Sequence, residues 1–296
     1  MVPLKPPAFS DLEYWDHRFS STSIPFDWLV PATSLDSLIL SSIRSRDPGD
    51  CKILHIGCGS SELSYRLGEL AQRPEDVWNT DYSSVAIERG RAVEGERHAR
   101  SRMSTSSPTG KAESNRLRET AEQATSRMNW EILDLLDDDS VSSLQSQTFD
   151  LVVDKSTSDA ISCGPDLTVP LLRPRTQSQT DGSIDSMTLH PLDILGINLA
   201  RLTNPGGRWL AISYSADRFP FLPTLPSTSS RASTSRTEST DEEILTAARY
   251  WQLEKKEEIE IEVNAEPSVS EGERPVFRPK EVNYLYVLVR THVPYP

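Results

Sequence analysis

The sequence predicts an α/β fold: a Rossmann-like, doubly wound sheet of seven mostly parallel strands, with helices on both faces and an antiparallel C-terminal hairpin. Two observations predict this fold. Apolar segments of strand length alternate along the chain with segments whose apolar residues recur at helical spacing. The apolar run at 53–56 is followed at once by Gly57-Cys58-Gly59 and then by a helical pattern. A strand, a glycine turn and a helix in that order open a nucleotide-binding βαβ unit.

The predicted elements follow one another to the C-terminus. The strands are expected at 53–56, 77–81, 128–134, 149–154, 208–214, 251–263 and 282–291. The helices are expected at 11–19, 34–45, 62–70, 83–98, 192–202 and 242–250. Ser34 can cap the second helix, and Ser60 or Ser61 the third. The residues Asn204-Pro205-Gly206-Gly207 are interpreted as a turn that ends the fifth helix.

A single domain from 11 to 296 is predicted to follow a disordered, proline-rich lead at 1–10. Three polar, Ser/Thr-rich segments interrupt the domain near 99–127, 164–187 and 222–240. Such segments bury too little apolar surface to offset the entropy that is lost on ordering. We therefore interpret them as insertions and loops outside the core.

Composition and net charge restrict which partners, sites and location we expect for the protein. The formal net charge of −13 over 296 residues argues against a nucleic-acid partner and favours a basic protein or a small cation. The arginines at 89–102 alternate with glutamates, which favours a solvated helix face over a nucleic-acid patch. The cysteines and histidines show no ligand spacing, so neither a disulfide framework nor a metal site is expected. No signal peptide or membrane-spanning apolar run is present, so we expect a soluble, cytoplasmic protein.

Sheets of this kind bind ligands at the carboxyl ends of their strands. The residues at these ends are Gly57 and Gly59 after strand one, Asp81 and Tyr82 after strand two, Asp134 and Leu135 after strand three, and Asp154 and Lys155 after strand four. The acid after strand two is the natural acceptor for two ribose hydroxyls. Asp134 can accept from an adenine amino group, with Leu135 against the ring. Many α/β folds also place polar residues at strand ends, so this pattern alone leaves the ligand open.

The glycine turn restricts which nucleotide can bind. The third glycine of a dinucleotide fingerprint is replaced by Glu62, a carboxylate where a pyrophosphate would have to lie. No Gly-Lys-[Ser/Thr] follows, which excludes a phosphate-binding P-loop. S-adenosylmethionine is a nucleoside that has no phosphate and carries a sulfonium cation. Trp15, Phe19 and Trp28 can supply ring faces to the adenosine and the cation, with core packing as the alternative for the two tryptophans.

Six motifs occur in order along the chain: E-Y-W-D-H-R-F, P-F-D-W-L, I-L-H-I-G-C-G-S-S-E-L-S, N-T-D-Y-S-S-V-A-I, L-D-L-L and F-D-L-V-V-D-K-S-T-S-D-A-I. Over roughly residues 11–215, insertions apart, this set resembles the seven-strand (class I) methyltransferases that methylate lysines of translation elongation factor 1-alpha. The nearest resemblance is to the endothelin-converting-enzyme-linked branch. It implies contacts to S-adenosylmethionine from Trp15, Phe19, Trp28, Gly57, Asp81, Tyr82, Asp134, Leu135 and Lys155. The family usually reads D-K-G-T-L-D-A, whereas here Ser156 and Ser158 replace the glycine and the leucine, in a segment that faces the methyl-transfer centre.

The resemblance implies a cytosolic protein-lysine methyltransferase whose partner is a basic protein such as elongation factor 1-alpha. Lysine, with a free pKa of about 10.4, must lose its proton before it attacks the methyl carbon. Asp154, Asp159 and Asp16 are candidates to face this amine, while caps or salt bridges are the alternative for Asp16, Asp27 and Asp159. The alternative for Lys155 is a backbone contact with a solvated side chain. A small-molecule or other-residue methyltransferase, a non-catalytic adaptor and, more distantly, a nicotinamide-dependent oxidoreductase remain open.

Overall fold

A computed structural model of the protein describes residues 7–22, 25–44, 51–104, 127–170, 186–223, 246–260 and 282–295. Its helices are α1 (Leu12–Ser21), α2 (Asp36–Arg44), α3 (Leu63–Leu70), α4 (Ser84–Ser104), α5 (Asp138–Ser142), α6 (Thr157–Ile161), α7 (Pro191–Leu202) and α8 (Ala247–Tyr250). Its strands are β1 (Ile53–Ile56), β2 (Val77–Asp81), β3 (Asn129–Ile132), β4 (Phe149–Lys155), β5 (Leu167–Pro170), β6 (Ser186–Leu189), β7 (Thr203–Ser213), β8 (Trp251–Glu260) and β9 (Val282–Arg290). Short 3-10 turns at Ala32–Leu35 and Pro74–Asp76 precede α2 and β2.

The described strands form a seven-stranded sheet and a separate two-stranded sheet. The order of the large sheet is β3-β2-β1-β4-β7-β9-β8. The first five of these strands pair in parallel, whereas β9 is antiparallel to both β7 and β8. The predicted fold class is therefore confirmed, including the C-terminal hairpin. The strand order reverses between β1 and β4, and such a switch point opens a crevice at the carboxyl ends of the strands.

Alternate side chains of each central strand pack on opposite faces of the sheet. On β7, Trp209 and Ala211 belong to one buried cluster, whereas Leu210 and Ile212 belong to the other. Helix α7 packs on the first face, and α2, α3 and α4 pack on the second. Because helices cover both faces of the sheet, the ends of the central strands are where a polar ligand can reach them.

One segment that was predicted as a loop contains strand pairing, and the predicted turn lies within the range of a strand. The ends of the 164–187 segment pair antiparallel as β5 and β6, from Leu167 opposite Leu189 to Pro170 opposite Ser186. The predicted turn at 204–207 lies within the range of β7 as a bulge without strand partners, because the register with β4 passes from Thr203 opposite Phe149 directly to Arg208 opposite Leu151. A bulge and a turn use the same glycine- and asparagine-rich residues, so the sequence pattern does not separate them.

Some predicted boundaries also need correction. Helix α4 extends to Ser104, which lies inside the predicted 99–127 insertion. Helix α8 confirms the last four residues of the helix expected at 242–250. Ser34 lies within a 3-10 turn and does not cap α2. The N-cap of α3 is Glu62 and not Ser60 or Ser61, although the Ser61 hydroxyl accepts from the Leu63 amide at 3.1 Å.

The central parts of all three predicted insertions lie outside the described residues. Among the described residues, no helix is long and apolar enough to cross a membrane. Within the same part of the chain, no group of three or more His, Cys, Asp or Glu side chains is arranged to hold a metal ion.

Candidate active site

A cavity of about 730 Å³ lies at the carboxyl ends of β1 to β4, at the switch point of the sheet. Ligand pockets commonly span roughly 300–1,000 Å³, so this cavity is of the right size for a cofactor. All ten residues proposed for ligand binding line it, namely Trp15, Phe19, Trp28, Gly57, Gly59, Asp81, Tyr82, Asp134, Leu135 and Lys155. The rest of the wall comes mainly from the chain around α1, from α6 and the residues that follow it, and from Tyr214 after β7.

The glycine turn after β1 brings the backbone close to two side chains. Gly57 and Gly59 have φ angles of +54° and +50°, a conformation that favours glycine. A Cβ atom at Gly57 would collide with the Thr157 hydroxyl, and one at Gly59 would lie 3.1 Å from the Phe19 ring. The turn therefore packs against both α6 and α1.

Asp81 ties this turn to the end of β2. Its side chain is buried, with Oδ2 accepting from the Gly59 amide at 2.9 Å and Oδ1 accepting from the Ser83 amide at 2.9 Å. Burial raises the pKa of Asp81 to about 6; the two amides oppose this effect, and the nearby Asp16 carboxylate adds to it. Because each carboxylate oxygen has two acceptor positions, Asp81 can still accept from two hydroxyls in the cavity.

The end of β3 forms the neighbouring wall. Asp134 is exposed, and its Oδ1 accepts from the Leu136 amide at 2.9 Å. Leu135 is buried, and the amide of Asn198 on α7 donates to its carbonyl at 2.8 Å. Tyr82 lines the cavity between these residues and α1, and partial burial raises the pKa of its hydroxyl. This side of the cavity combines an exposed acceptor with an apolar surface.

We call residues 7–22 and 25–30 the N-terminal cover, because aromatic side chains from these residues line the cavity. Trp15 stacks on Phe19 with ring centroids 5.6 Å apart, and its indole nitrogen donates to the Phe9 carbonyl at 2.7 Å. None of the ten residues of α1 is buried. The helix is attached by polar contacts at its edges, such as the hydrogen bonds from Arg89 to the carbonyls of Phe19 and Thr22.

Lys155, the last residue of β4, fixes the second part of the N-terminal cover. Its side chain is 3% exposed; Nζ donates to the Trp28 carbonyl at 3.1 Å and lies 3.0 Å from Asp27 Oδ1. Burial lowers the pKa of Lys155, and Asp27 opposes this effect. Leu29 has a φ of +65°, and the Val30 amide donates to the Trp28 carbonyl at 2.7 Å, which closes a tight three-residue turn. The alternative of a solvated Lys155 side chain is therefore wrong.

Asp159 lines the cavity on the β4 side but is already paired. Its Oδ1 lies 2.7 Å from Arg218 Nε, and the two side chains are 7% and 8% exposed. The Ser213 hydroxyl and the Tyr214 amide also donate to its carboxylate. Burial raises the pKa of Asp159, and the Ser213 hydroxyl and Arg218 oppose this effect.

Asp154 does not line the cavity. It is fully buried; its Oδ1 accepts from the amides of Thr157 and Ser158, and its Oδ2 accepts from the Trp209 indole at 3.3 Å. Burial raises the pKa of Asp154 to about 7, and Asp159 adds to the effect. Asp154 therefore holds the first residues of α6 from within the core, so we do not retain it as a residue that faces a substrate.

The other acids expected near the reaction centre are also engaged. The Ser83 hydroxyl donates to Asp16. Asp27 accepts from the Ser61 hydroxyl and pairs with Lys155. Asp16, Asp27 and Asp159 are therefore hydrogen-bond or salt-bridge partners within the fold, which was the alternative interpretation. The structure does not bring them together as a free acidic patch.

Comparison with known proteins places this arrangement in a functional class. No family model matches the chain. It is 28% identical over 241 residues to methyltransferase srdJ of Neurospora crassa, covering 80% of the chain and 81% of the relative. It is 26% identical over 220 residues to EEF1A lysine methyltransferase 4 of Bos taurus, covering 74% and 66%. A solved SAM-dependent methyltransferase from Anabaena variabilis shares the fold, with a TM-score of 0.50 at 12% identity over 98% of this chain and 99% of the other.

The chain is an S-adenosylmethionine-dependent methyltransferase. The cavity of the methyltransferase suits a nucleoside that carries no phosphate. Glu62, at the position of the third glycine of a dinucleotide fingerprint, does not line the cavity; its carboxylate accepts from Arg97 at 2.7 Å, so the expected block to a pyrophosphate by this acid is not found. Asp81 offers acceptors of the kind that a ribose diol needs, and the rings of Trp15 and Trp28 suit a cation.

Three residues that shape the site of the methyltransferase were not predicted. Phe9 falls in the predicted disordered lead, yet it lines the cavity with its ring centroid 5.7 Å from that of Trp28. Thr157 packs on Gly57, and Arg218 neutralises Asp159. An aromatic residue in a proline-rich lead was a usable signal for Phe9. A lone arginine after β7 carried no signal, because its partner is set by the tertiary fold.

Proposed function

We propose that the chain transfers the methyl group of S-adenosylmethionine to the ε-amino group of a lysine in a protein. The observation that carries the proposal is the relation to EEF1A lysine methyltransferase 4, at 26% identity over 220 residues of the bovine protein and 228 of the mouse protein. These alignments cover 74% of the chain. Translation elongation factor 1-alpha is accordingly our candidate substrate, and the cytoplasm our candidate compartment.

We assign the methyl donor to the wall formed by β1, β2 and β3. Asp81 accepts from the two ribose hydroxyls, and Asp134 from the adenine amino group, with Leu135 and Tyr82 against the nucleoside. The glycine turn lets the donor lie close to the backbone. The aromatic rings of the N-terminal cover, Trp15, Phe19 and Trp28, enclose the donor from above, and Lys155 holds that cover in place.

The acceptor approaches from the side of β4 and β7. Tyr214 lines the cavity there and is 56% exposed, so this wall adjoins solvent. Methyl transfer needs alignment and a neutral nucleophile, and desolvation between aromatic side chains favours the neutral amine. Asp159 is bound to Arg218, and Asp154 does not line the cavity. We therefore assign no general base and let water take the proton from the lysine.

The charge of the chain supports a basic protein as the partner. At a net charge of −13, long-range attraction speeds the approach of a positively charged surface. This attraction is screened over about 10 Å at 0.1 M ionic strength, so methylation of a basic protein slows as salt is added. Asp27 and Asp159 are paired with Lys155 and Arg218, so we attribute this steering to the chain as a whole and not to a local patch.

A methyltransferase for a small molecule is the second candidate. The relation to methyltransferase srdJ covers 80% of the chain, and that relative's name specifies no acceptor. The rings of Phe9, Phe26 and Trp28 line the cavity together. A flat apolar acceptor would pack against them as well as the alkyl chain of a lysine does.

Transfer of a tritiated methyl group tests the proposal. The recombinant protein is incubated with labelled S-adenosylmethionine and either a cell lysate or purified elongation factor 1-alpha, and the labelled band is digested for mass spectrometry. We expect label on a lysine, and none when Asp81→Ala replaces the wild type. Label confined to the small-molecule fraction would favour the second candidate. Tight cofactor binding without any transfer would instead identify a non-catalytic adaptor.

A further inference from the structure

Arg18, on helix α1 of the N-terminal cover, lines the cavity and is half-buried there. Its guanidinium carbon lies over the rings of Phe26 and Trp28, 4.5 and 5.7 Å from their centroids. Its side chain makes no ion pair and no hydrogen bond with any other described residue, so these rings are its contacts in that part of the chain. Ring faces give none of the five N–H groups of a guanidinium an oxygen acceptor.

The other basic side chains of the described cavity wall are not available to an anion. Lys155 is 3% exposed and pairs with Asp27 at 3.0 Å. His55 is buried, and burial lowers its pKa to about 4, so its ring is uncharged at neutral pH. Arg18 is therefore the cation of this wall that has no acidic partner among the described residues.

The methyl donor brings a negative charge into the cavity. S-adenosylmethionine ends in an amino acid, whose carboxylate is ionised at neutral pH. Apart from Arg18 and Lys155, the charged side chains of the described cavity wall are carboxylates, namely Asp11, Asp81, Asp134 and Asp159. A carboxylate that leaves water for such a wall loses free energy of hydration and is repelled, unless it meets a cation.

The donor placement proposed above brings this carboxylate towards Arg18. The ribose lies at Asp81, at the end of β2, and neighbouring strands are about 4.8 Å apart, so β4 lies about 10 Å away across β1. Phe19, the next residue after Arg18, lies against the glycine turn of β1. Trp28 is held by Lys155 at the end of β4. Arg18 thus belongs to the part of the wall over β1 and β4, which the amino-acid end of the donor reaches when it extends from the ribose across the turn.

We propose that Arg18 binds the carboxylate of the methyl donor, an inference that rests on this donor placement and holds for any acceptor. Contact with the two rings orients the guanidinium, and its fork of N–H groups fits both carboxylate oxygens. The carboxylate is the same in the donor and in the demethylated product. Arg18 therefore acts on binding, and its loss should raise the KM for the donor while kcat stays level.

A donor without the carboxylate tests this contact. Calorimetry in the absence of an acceptor gives the Kd of S-adenosylmethionine and of decarboxylated S-adenosylmethionine. We expect the wild type to bind the first about 10- to 50-fold more tightly, because two charge-assisted hydrogen bonds depend on the carboxylate. Arg18→Met should lose this preference, since it weakens the first donor by about the same factor and the second by less than about threefold. Arg18→Lys keeps the charge without the fork, so its preference should be intermediate.

Arg89→Met is the matched control for damage to the N-terminal cover. Arg89 donates to the carbonyls of Phe19 and Thr22 at the end of α1, and it does not line the cavity. Its loss loosens the helix that carries Arg18, so both donors should weaken by the same factor and the preference of the wild type should remain. A purely structural role for Arg18 would give this same pattern in Arg18→Met. Circular dichroism checks that each variant is folded.

Three results would overturn this inference. The wild type could bind the two donors equally, Arg18→Met could keep the preference of the wild type, or it could raise only the KM for a protein acceptor. Each of these rejects the contact with the donor carboxylate. Asp81→Ala separates this failure from a failure of the donor placement, because it should weaken both donors alike. If it leaves the affinity for both unchanged, the placement at Asp81 is wrong and the inference about Arg18 falls with it.

Discussion

Asp81 is the last residue of β2 and Asp154 the last but one of β4, and these two strands flank β1 on either side. Both carboxylates are buried, both accept from two backbone amides, and burial raises the pKa of both, to about 6 and about 7. They differ in one partner. Asp154 also accepts from the indole of Trp209 in the core, whereas Asp81 lines the cavity. Asp154 is level with Thr80 in the sheet and Asp81 lies one residue further along, so the same residue type lines the cavity on one strand and is enclosed by the core on the other.

The difference extends to the two sides of the cavity. On the β2 and β3 side, Asp81 and Asp134 each keep free acceptor capacity towards the cavity. On the β4 and β7 side, Asp159 is neutralised by Arg218. An acid at the end of a strand is therefore weak evidence for a role in catalysis until its partners are known. Four substitutions or changes of condition test this contrast between the two sides of the cavity.

The largest effect is expected where the two acids are exchanged for residues without a carboxylate. Asp81→Ala should weaken binding of S-adenosylmethionine by about 2–4 kcal/mol, because two charge-assisted hydrogen bonds are lost. Asp154→Asn should lower the free energy of unfolding and leave the affinity of the folded protein for the donor within about twofold. Calorimetry after a check of folding by circular dichroism measures both. Equal losses of affinity in the two variants would erase the contrast between the two strand ends.

The second effect concerns the neutralised acid on the β4 side. Asp159→Asn should lower the free energy of unfolding by about 2–3 kcal/mol, because it leaves the buried Arg218 without a counter-charge. Turnover should fall with it, since Asp159 lines the cavity, while donor affinity should stay unchanged. Chemical denaturation gives the stability, and single-turnover labelling gives the rate.

The double variant Asp159→Asn/Arg218→Gln controls this experiment. It removes both charges of the pair, so we expect it to recover part of the stability that the single variant loses. If the single variant is as stable as the wild type, the Asp159–Arg218 pair contributes as little as an exposed salt bridge, which contradicts its burial.

The sequence was sufficient for the fold and for much of the wall of the site. Alternating strand and helix patterns predict the sheet, because burial on both faces requires nearly continuous apolar strands. Strand ends such as Asp81 and Asp134 follow directly, since parallel strands bring their carboxyl ends to one edge. The hydrogen bond from the Leu63 amide to the Ser61 hydroxyl at the start of α3 is likewise a local feature.

What the sequence could not predict depends on contacts between distant segments. Asp159 was chosen as a substrate-facing acid from its position alone, since its partner Arg218 lies in a distant segment and nothing in the spacing joins the two. Asp154 was chosen for the same reason, although the Trp209 indole below it makes it structural. The solvated alternative for Lys155 failed because pairing with Asp27 offsets the cost of burying its ammonium group.

The third effect tests how the N-terminal cover contributes to donor binding. Lys155→Met should weaken binding of S-adenosylmethionine by about 2 kcal/mol, because the Trp28 carbonyl and the Asp27 carboxylate lose their buried partner. Hydrogen exchange should speed up at residues 25–30 and stay unchanged in β1. Lys52→Met is a matched control, since Lys52 Nζ binds Gln147 away from the cavity wall. Unchanged exchange at 25–30 would mean that Lys155 does not hold the cover.

The smallest effect is a difference in pH dependence between the two acids. A carboxyl group whose pKa is raised in the fold binds protons that the unfolded chain has released, so it contributes stability at low pH that is lost as pH rises through the folded pKa. For Asp154 this loss spans the range from about pH 4 to about pH 7. Stability should therefore fall over this window, and Asp154→Asn should flatten the curve measured by denaturation at each pH.

Donor affinity should follow the opposite trend, because it depends on Asp81. Ribose hydroxyls donate to the ionised carboxylate, whose pKa is about 6 in the ligand-free protein. Below that pH the donor has to displace a proton, so its Kd should rise about tenfold for each unit of pH, while it stays level between about pH 7 and pH 8. Asp81→Asn should bind the donor weakly and without this pH dependence. An affinity that stayed flat from pH 5 to pH 7 in the wild type would mean that the Asp81 carboxylate does not accept from the donor, because a carboxylate that bound two hydroxyls could not be protonated without losing part of that affinity.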